Sequence, residues 1–194
     1  MSEVLSTFQL KSGQVAPDFT LPDGGGKPFA LADLAAGKRA TVIAFVCNHC
    51  PFVIHLAEAM AKFANDYAEQ GVQVIAINSN DVANYPADSP AKMVDFTKFY
   101  DWTFPYLYDE SQQVALSYAA ACTPDFYLFD ENLGLAYAGQ FDATRPGQQA
   151  TVTGCDLRSA VDHVLTKQTA VEGSWQPSSG CNIKWKEKNI PAYF

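Results

Sequence analysis

Apolar positions along this chain follow two different periods, and the change between them marks its elements. Thr41-Val42-Ile43-Ala44-Phe45-Val46 is a run of apolar and β-branched residues, which predicts a strand buried on both faces. Pro51–Gln70 switches to helical spacing, with Phe52, Leu56, Met60, Phe63 and Tyr67 on one face, and Gly71 stands where a helix would stop. Val72–Ile77 is a second apolar strand, running out into the polar loop Asn78-Ser79-Asn80-Asp81. Strand, helix and strand in this order predict a right-handed parallel crossover. Loops at the carboxyl ends of such strands form one rim, where ligands bind.

The other segments are read the same way. Residues 1–12 are indeterminate between a strand and a mobile end. Val15–Pro22 suits an edge strand because of its prolines. Asp23–Lys27 is a hairpin turn, since it lacks the G-x-x-x-x-G-K-[ST] spacing of a phosphate loop. Phe29–Leu34 closes that hairpin and starts a short helix. Ser89 or Asp88 caps a helix from Pro90 to about Tyr100, with Met93, Phe96, Phe99 and Tyr100 on its inner face. A strand at Phe104–Asp109, a helix at Ser111–Ala121, a strand at Cys122–Asp130 and a return strand at Leu135–Phe141 follow. Thr151 to about Thr166 is a closing helix that buries Leu157, Ala160, Val161, Val164 and Leu165. The predicted fold class is α/β, a central mixed sheet flanked by helices. One domain spans residues 1–170, and a tail of residues 171–194 packs on it through Trp175, Trp185, Tyr193 and Phe194.

Composition narrows the function. The chain has 194 residues, enough for one domain with a sizeable core, and is 48% hydrophobic and 18% charged. No window reaches 18 uninterrupted apolar residues, and the start carries no signal-peptide pattern, so no membrane association is expected. A net charge of −8 argues against a nucleic-acid partner. Five cysteines at irregular spacing suit free thiols and one working pair in a reducing compartment better than a disulfide scaffold. The expected location is the cytoplasm, and monomer and homodimer both stay open.

The candidate chemistry lies in Cys47-Asn48-His49-Cys50-Pro51, between the first buried strand and the long helix. A helix N-terminus offers unpaired N–H groups and partial positive charge, which favour a thiolate. Two cysteines two residues apart can meet across one turn and close a disulfide. A C-x-x-C in this setting reads as a thioredoxin-like redox motif.

These residues, with Ala16-Pro17-Asp18-Phe19-Thr20-Leu21 and Thr123-Pro124, resemble the thioredoxin superfamily and its peroxiredoxin-like branch, the AhpC/TSA and TlpA-type group. The resemblance covers about residues 14–168. More narrowly, Phe45–Pro51, Ala76–Asp81 and Gly180-Cys181-Asn182-Ile183-Lys184-Trp185-Lys186 are similar to a bacterial peroxiredoxin-like family. The resemblance implies a cis Thr123–Pro124 bond packed against the dithiol, where it keeps metal out and presents backbone to an extended substrate. It also implies that Cys47 is the nucleophile, nearer solvent, and that Cys50 resolves the mixed disulfide. An imidazolium at His49 would stabilise the thiolate and raise the reduction potential.

Two departures qualify this reading. Ala44 stands where thioredoxins carry a buried acid, and no carboxylate lies between Arg39 and Cys47. Cys47 occupies the place of the peroxidase threonine, whose reactive cysteine matches Cys50, and no arginine lies between Lys98 and Arg145. The leading expectation is a thiol–disulfide oxidoreductase acting on protein or small thiol and disulfide substrates, with no cofactor and no metal. The alternatives are a thiol peroxidase and a soft-metal-binding protein using Cys47, Cys50 and a third ligand such as Cys122 or His49. Cys122 otherwise reads as a small buried residue, and Cys155 and Cys181 as free thiols. Cys155 and Cys181 could alternatively pair with each other. His55 and His163 read as ordinary helix residues, and Arg145 as a residue near the rim.

Overall fold

The computed structural model describes residues 3–167, 169–171, 173 and 175–193. Its elements run β1 (Glu3–Leu5), β2 (Thr20–Pro22), β3 (Pro28–Ala30), α1 (Leu31–Ala35), β4 (Ala40–Phe45), α2 (Pro51–Ala68) and β5 (Val72–Asn78). A 3-10 turn at Pro86–Asp88 leads into α3 (Pro90–Phe99), β6 (Tyr106–Tyr108), α4 (Gln113–Ser117), β7 (Cys122–Thr123) and β8 (Asp125–Asp130). The chain closes with β9 (Leu135–Gly139), α5 (Cys155–Lys167) and β10 (Ser179–Asn182).

All six positions of β4 are buried, and the strand sits in the middle of a five-stranded sheet ordered β6-β5-β4-β8-β9. It pairs parallel with β5 and antiparallel with β8, so the sheet is mixed, as its sequence pattern implied. Successive side chains of a strand point to opposite faces. Val42 and Ala44 therefore join α2 and α5, through Val53, Leu56, Met60, Phe63, Leu157 and Val161. Ile43 and Phe45 join a second cluster on the other face, with Leu31, Val114, Tyr118 and Phe129. α2 stops at Ala68, and Gly71 takes a left-handed φ of +83° to redirect the chain into β5. This is the parallel crossover, and it brings the residues after β4 and β5 to one rim.

A smaller sheet joins the two ends of the chain. β10 pairs antiparallel with β1 and with β7, placing Cys181 opposite both Glu3 and Thr123. Ile183 is buried in the second cluster, and Trp175, Trp185 and Tyr193 pack against it. Phe194 lies outside the described residues.

The burial of Phe99 and three element boundaries depart from the pattern reading for local reasons. Phe99, expected on the inner face of α3, is 79% exposed; Met93 and Phe96 fill that face instead. The helix expected over Ser111–Ala121 shrinks to α4, because Gln112 (φ 65°) and Ala119 (φ 51°) take left-handed backbone. α5 starts at Cys155 rather than Thr151, because the Asp142 carboxylate accepts the Thr153 and Gly154 amides at 2.8 and 2.7 Å. The expected strand Cys122–Asp130 breaks at Pro124, leaving β7 and β8 in different sheets.

Gly180 is where β10 approaches β7 most closely. A Cβ there would collide with the Thr123 carbonyl oxygen. Gly180→Ala is therefore expected to destabilise the protein by about 1–3 kcal/mol in urea unfolding, through overpacking. Unchanged stability would show that the tail strand is not held this tightly.

Candidate active site

The site is assembled from three segments. β4 hands the chain to the rim, where Val46 N–H still bonds Ile77 O at 2.9 Å. Cys47–Cys50 then turn into α2, with Cys50 as the N-cap residue and Pro51 at the first helical position, where no amide donor is missed. The opposing wall is Thr123–Pro124, whose peptide bond is cis, as the resemblance implied. Cys50 Sγ donates to the Thr123 carbonyl at 3.1 Å, and Cys47 Sγ lies 3.5 Å from the Thr123 hydroxyl. The structure thus brings Cys47, His49, Cys50, Thr123 and Pro124 together.

Burial and acidity depart from the expected division of roles. Cys47 is 1% exposed and Cys50 is not exposed at all, so neither is the solvent-facing member of the pair. Of the two, Cys50 is the one whose acidity its surroundings raise. The Cys47 thiol beside it brings Cys50 down to about 5 against the opposing effect of burial, with smaller help from Cys181, Thr123 and the Val53 amide. The Cys50–Thr123 carbonyl bond belongs to the protonated thiol. Cys47 is pushed well above the ordinary thiol range by the adjacent Cys50 sulfur, by burial and by the Asp88 charge.

His49 engages a partner that the sequence did not single out. Its Nδ1 lies 2.7 Å from Asp88 Oδ2 and 3.9 Å from Cys47 Sγ. Both contacts use the same ring nitrogen, so the three residues are not a relay, and the Asp88 bond comes first. That bond raises the His49 pKa, against the opposing effect of burial. The imidazolium expected to serve the thiolate is therefore balanced by a carboxylate. Asp88 itself is fully buried, and four donors satisfy it: the Asn48 and His49 amides, the His49 ring and the Asn80 side chain. The rim loop Asn78–Asp81 builds this pocket, with Asn78 Nδ2 donating to the Asp88 carbonyl at 2.7 Å. Lys184 of the tail caps it, its amide on Asn80 Oδ1 at 2.8 Å and its ammonium over Tyr85, whose ring stacks on His49.

Among the described residues, Cys47, His49 and Asp88 form one group whose ligand atoms lie within 4.8 Å of one another. Both Asp88 oxygens already accept two donors each, so a metal ion here would have to break that network. The donor set fits a hydrogen-bonded dyad better than a metal centre.

The other candidates fall elsewhere. The Cys122 thiol donates to Pro124 O at 3.5 Å and is fully buried, in keeping with a packing role. Cys155 is exposed at the start of α5 beside Asp156, whereas Cys181 is buried against Thr123. His55 and His163 bond Thr144 and Thr169. Arg145 lines a shallow depression beside Pro124, together with His55, Phe126 and Ser179. Its guanidinium is held by Gln140 Oε1 and by the Asp142 and Thr144 carbonyls. Asp125, pushed up to about 6 by burial, bonds Ser6 and Tyr127 and pairs in register with Phe45, on the sheet face away from Ala44 and the dithiol.

The His49–Asp88 pair has a definite pH signature. Because the folded His49 pKa is raised, its stabilisation is complete below about pH 6.5, the ordinary imidazole value, and is lost as pH rises through the raised value. In Asp88→Asn, His49 is expected to titrate at a lower pH by NMR, and this part of the pH-dependent stability should disappear. An unmoved His49 titration would contradict the pairing.

Comparison with known proteins places this geometry in a family. Residues 12–138 match the family model described as AhpC/TSA family. A Mycobacterium tuberculosis protein provisionally named a peroxiredoxin is 30% identical over 114 residues, 59% of this chain and 67% of that one. Thiol-disulfide oxidoreductase ResA of Halalkalibacterium halodurans is 28% identical over 122 residues, 63% of this chain and 64% of that one. A crystal structure of a hypothetical protein from Sinorhizobium meliloti superposes with a TM-score of 0.90 at 50% identity, covering 94% of this chain and 98% of that one. The thioredoxin-like fold is also shared with disulfide oxidoreductases and peroxiredoxins of lower identity. The chain belongs to the AhpC/TSA family of the thioredoxin superfamily.

Proposed function

We propose that this protein is a thiol–disulfide oxidoreductase that works through Cys47 and Cys50 on disulfides of proteins or small thiols. The observation that carries this reading is the buried Cys47–Cys50 pair at the α2 N-terminus, with both sulfurs against Thr123, Thr123–Pro124 closing the other side, and Cys50 made acidic by its surroundings. Relatives named as thiol-disulfide oxidoreductases support the reaction class.

The Cys50 thiolate attacks one sulfur of a substrate disulfide, forming a mixed disulfide, and the other sulfur leaves as a thiolate. Cys47 then gives up its proton and attacks Cys50. The second substrate sulfur is released, and Cys47–Cys50 remains as a disulfide. Two electrons have passed to the substrate, and the reverse reaction follows the same path. The proton that Cys47 gives up goes to the departing substrate thiolate, because His49 Nδ1, 3.9 Å from Cys47, is already engaged with Asp88. Because both cysteines are buried, a substrate sulfur reaches them only when the groups covering the turn move aside.

The same acidic Cys50 supports a thiol peroxidase as a second reading, in which attack on a hydroperoxide leaves a sulfenic acid for Cys47 to resolve. Arg145 speaks against it, because its recorded contacts are with Gln140, Asp142 and Thr144 and not with the thiols.

Mixing reduced protein separately with oxidised glutathione and with hydrogen peroxide distinguishes the two. The disulfide is expected to react faster, Cys50→Ser should abolish the first attack, and Cys47→Ser should retain it. Faster consumption of peroxide would make the protein a peroxidase. Loss of the first attack in Cys47→Ser but not in Cys50→Ser would return the nucleophile to Cys47.

A further inference from the structure

One buried thiol beside the dithiol takes no part in the exchange just described. β10 lies antiparallel to β7 with Cys181 directly opposite Thr123. Opposed residues of an antiparallel pair project to the same face, with Cβ atoms about 4.5–5.5 Å apart. Thr123 turns its hydroxyl toward Cys47 at 3.5 Å, so Cys181 faces the dithiol as well. Cys181 is 4% exposed and sits in the same core cluster as Cys47 and Cys50, near enough for the Cys50 sulfur to push its thiol up. Cys122 does not share this placement, since it precedes Thr123 in the strand and projects to the opposite face.

The tail is also fixed there. Gly180 lets β10 come so close to Thr123 that a side chain would strike the Thr123 carbonyl. Two residues after β10, the Lys184 amide bonds Asn80 Oδ1 and the Lys184 carbonyl accepts the Asp81 amide, both at 2.8 Å. Cys181 is thus held between two anchors, against the backbone edge of Thr123.

We propose that Cys181 is a third redox thiol of this site, which draws the oxidised state away from Cys47 by forming a Cys50–Cys181 disulfide. The proposal rests on the reading of Cys47 and Cys50 as an exchange pair. Starting from the Cys47–Cys50 disulfide, the Cys181 sulfur attacks Cys50. The Cys50–Cys181 bond forms as the Cys47–Cys50 bond breaks, and Cys47 leaves as a thiolate. The proton lost by Cys181 goes to Cys47, beside the His49–Asp88 pair. One disulfide replaces another, so no further oxidant is consumed. Burial and the neighbouring Cys50 sulfur push the Cys181 thiol up to about 12 while the site is reduced, so it stays protonated until Cys50 is oxidised. The same attack resolves a mixed disulfide on Cys50, in competition with Cys47.

Cys47→Ser removes the competing partner and isolates the step. The reduced variant is treated with oxidised glutathione, free thiols are alkylated, and cysteine peptides are mapped by mass spectrometry. A Cys50–Cys181 linked peptide is expected, and the glutathione adduct on Cys50 should decay at least about tenfold faster than in Cys47→Ser/Cys181→Ser. Adducts of equal lifetime in both variants, with no linked peptide, would overturn the proposal. If neither variant takes up glutathione, the exchange reading itself has failed, and diamide then tests Cys181 separately. Diamide takes two electrons and two protons from neighbouring thiols, so a Cys50–Cys181 peptide in the wild type and in Cys47→Ser supports the proposal. Absence of that peptide under diamide refutes it. The linked peptide is read without any change at Cys181, so misfolding of a Cys181 variant cannot produce or hide it.

Discussion

The active face of this protein depends on the antiparallel contact of β7 with β10 at Thr123. One residue there serves three segments at once: its carbonyl accepts from Cys50, its hydroxyl meets Cys47, and its backbone faces Cys181. The contact exists because Pro124 ends β7 and sends the next strand into the main sheet, leaving Thr123 free to pair with the tail. Gly180 then allows the closest approach. The tail is therefore part of the wall of the site, joined to the first residues of the chain through β1.

The second dependence is electrostatic. A buried carboxylate without partners costs several kcal/mol, so Asp88 is tolerable only with its donors in place. Those donors come from the Asn48–His49 turn and from the loop after β5, which ties the two carboxyl-end loops of the parallel crossover into one unit. His49 is thereby drawn toward Asp88 rather than left to balance a thiolate. The acidity of Cys50 comes instead from groups around the sulfur, namely the neighbouring thiols, the Thr123 hydroxyl and the first turn of α2.

How much of this is legible in the chain depends on sequence distance. β4, α2 and β5 are readable because their burial repeats at the strand and helix periods over contiguous residues, and the dithiol because its partners lie within one turn. The Thr123–Pro124 wall is visible only through family resemblance. Asp88 is missed because its partner lies 39 residues away, and an Asp just before Ser89-Pro90 looks like a helix cap. No capping bond from Ser89 or Asp88 forms on α3, since the Asp88 carboxylate is committed to the site. Cys181 is missed because Ser179-Gly180-Cys181-Asn182 has no apolar alternation, and its strand exists only through pairing with β1 and β7. Phe99 errs the other way: its position fits the apolar period, but Met93, Phe96, Trp102 and Tyr106 already fill the space beneath α3.

The central claim is that Cys50, not Cys47, is the acidic thiol of the pair. Ultraviolet thiolate absorbance of the fully reduced protein, followed against pH in the wild type, Cys47→Ser and Cys50→Ser, tests it directly. The account predicts a one-thiol transition near pH 5 in the wild type, missing from Cys50→Ser and still present, shifted, in Cys47→Ser. A low-pH transition that survives in Cys50→Ser and vanishes in Cys47→Ser would place the thiolate on Cys47 and contradict it.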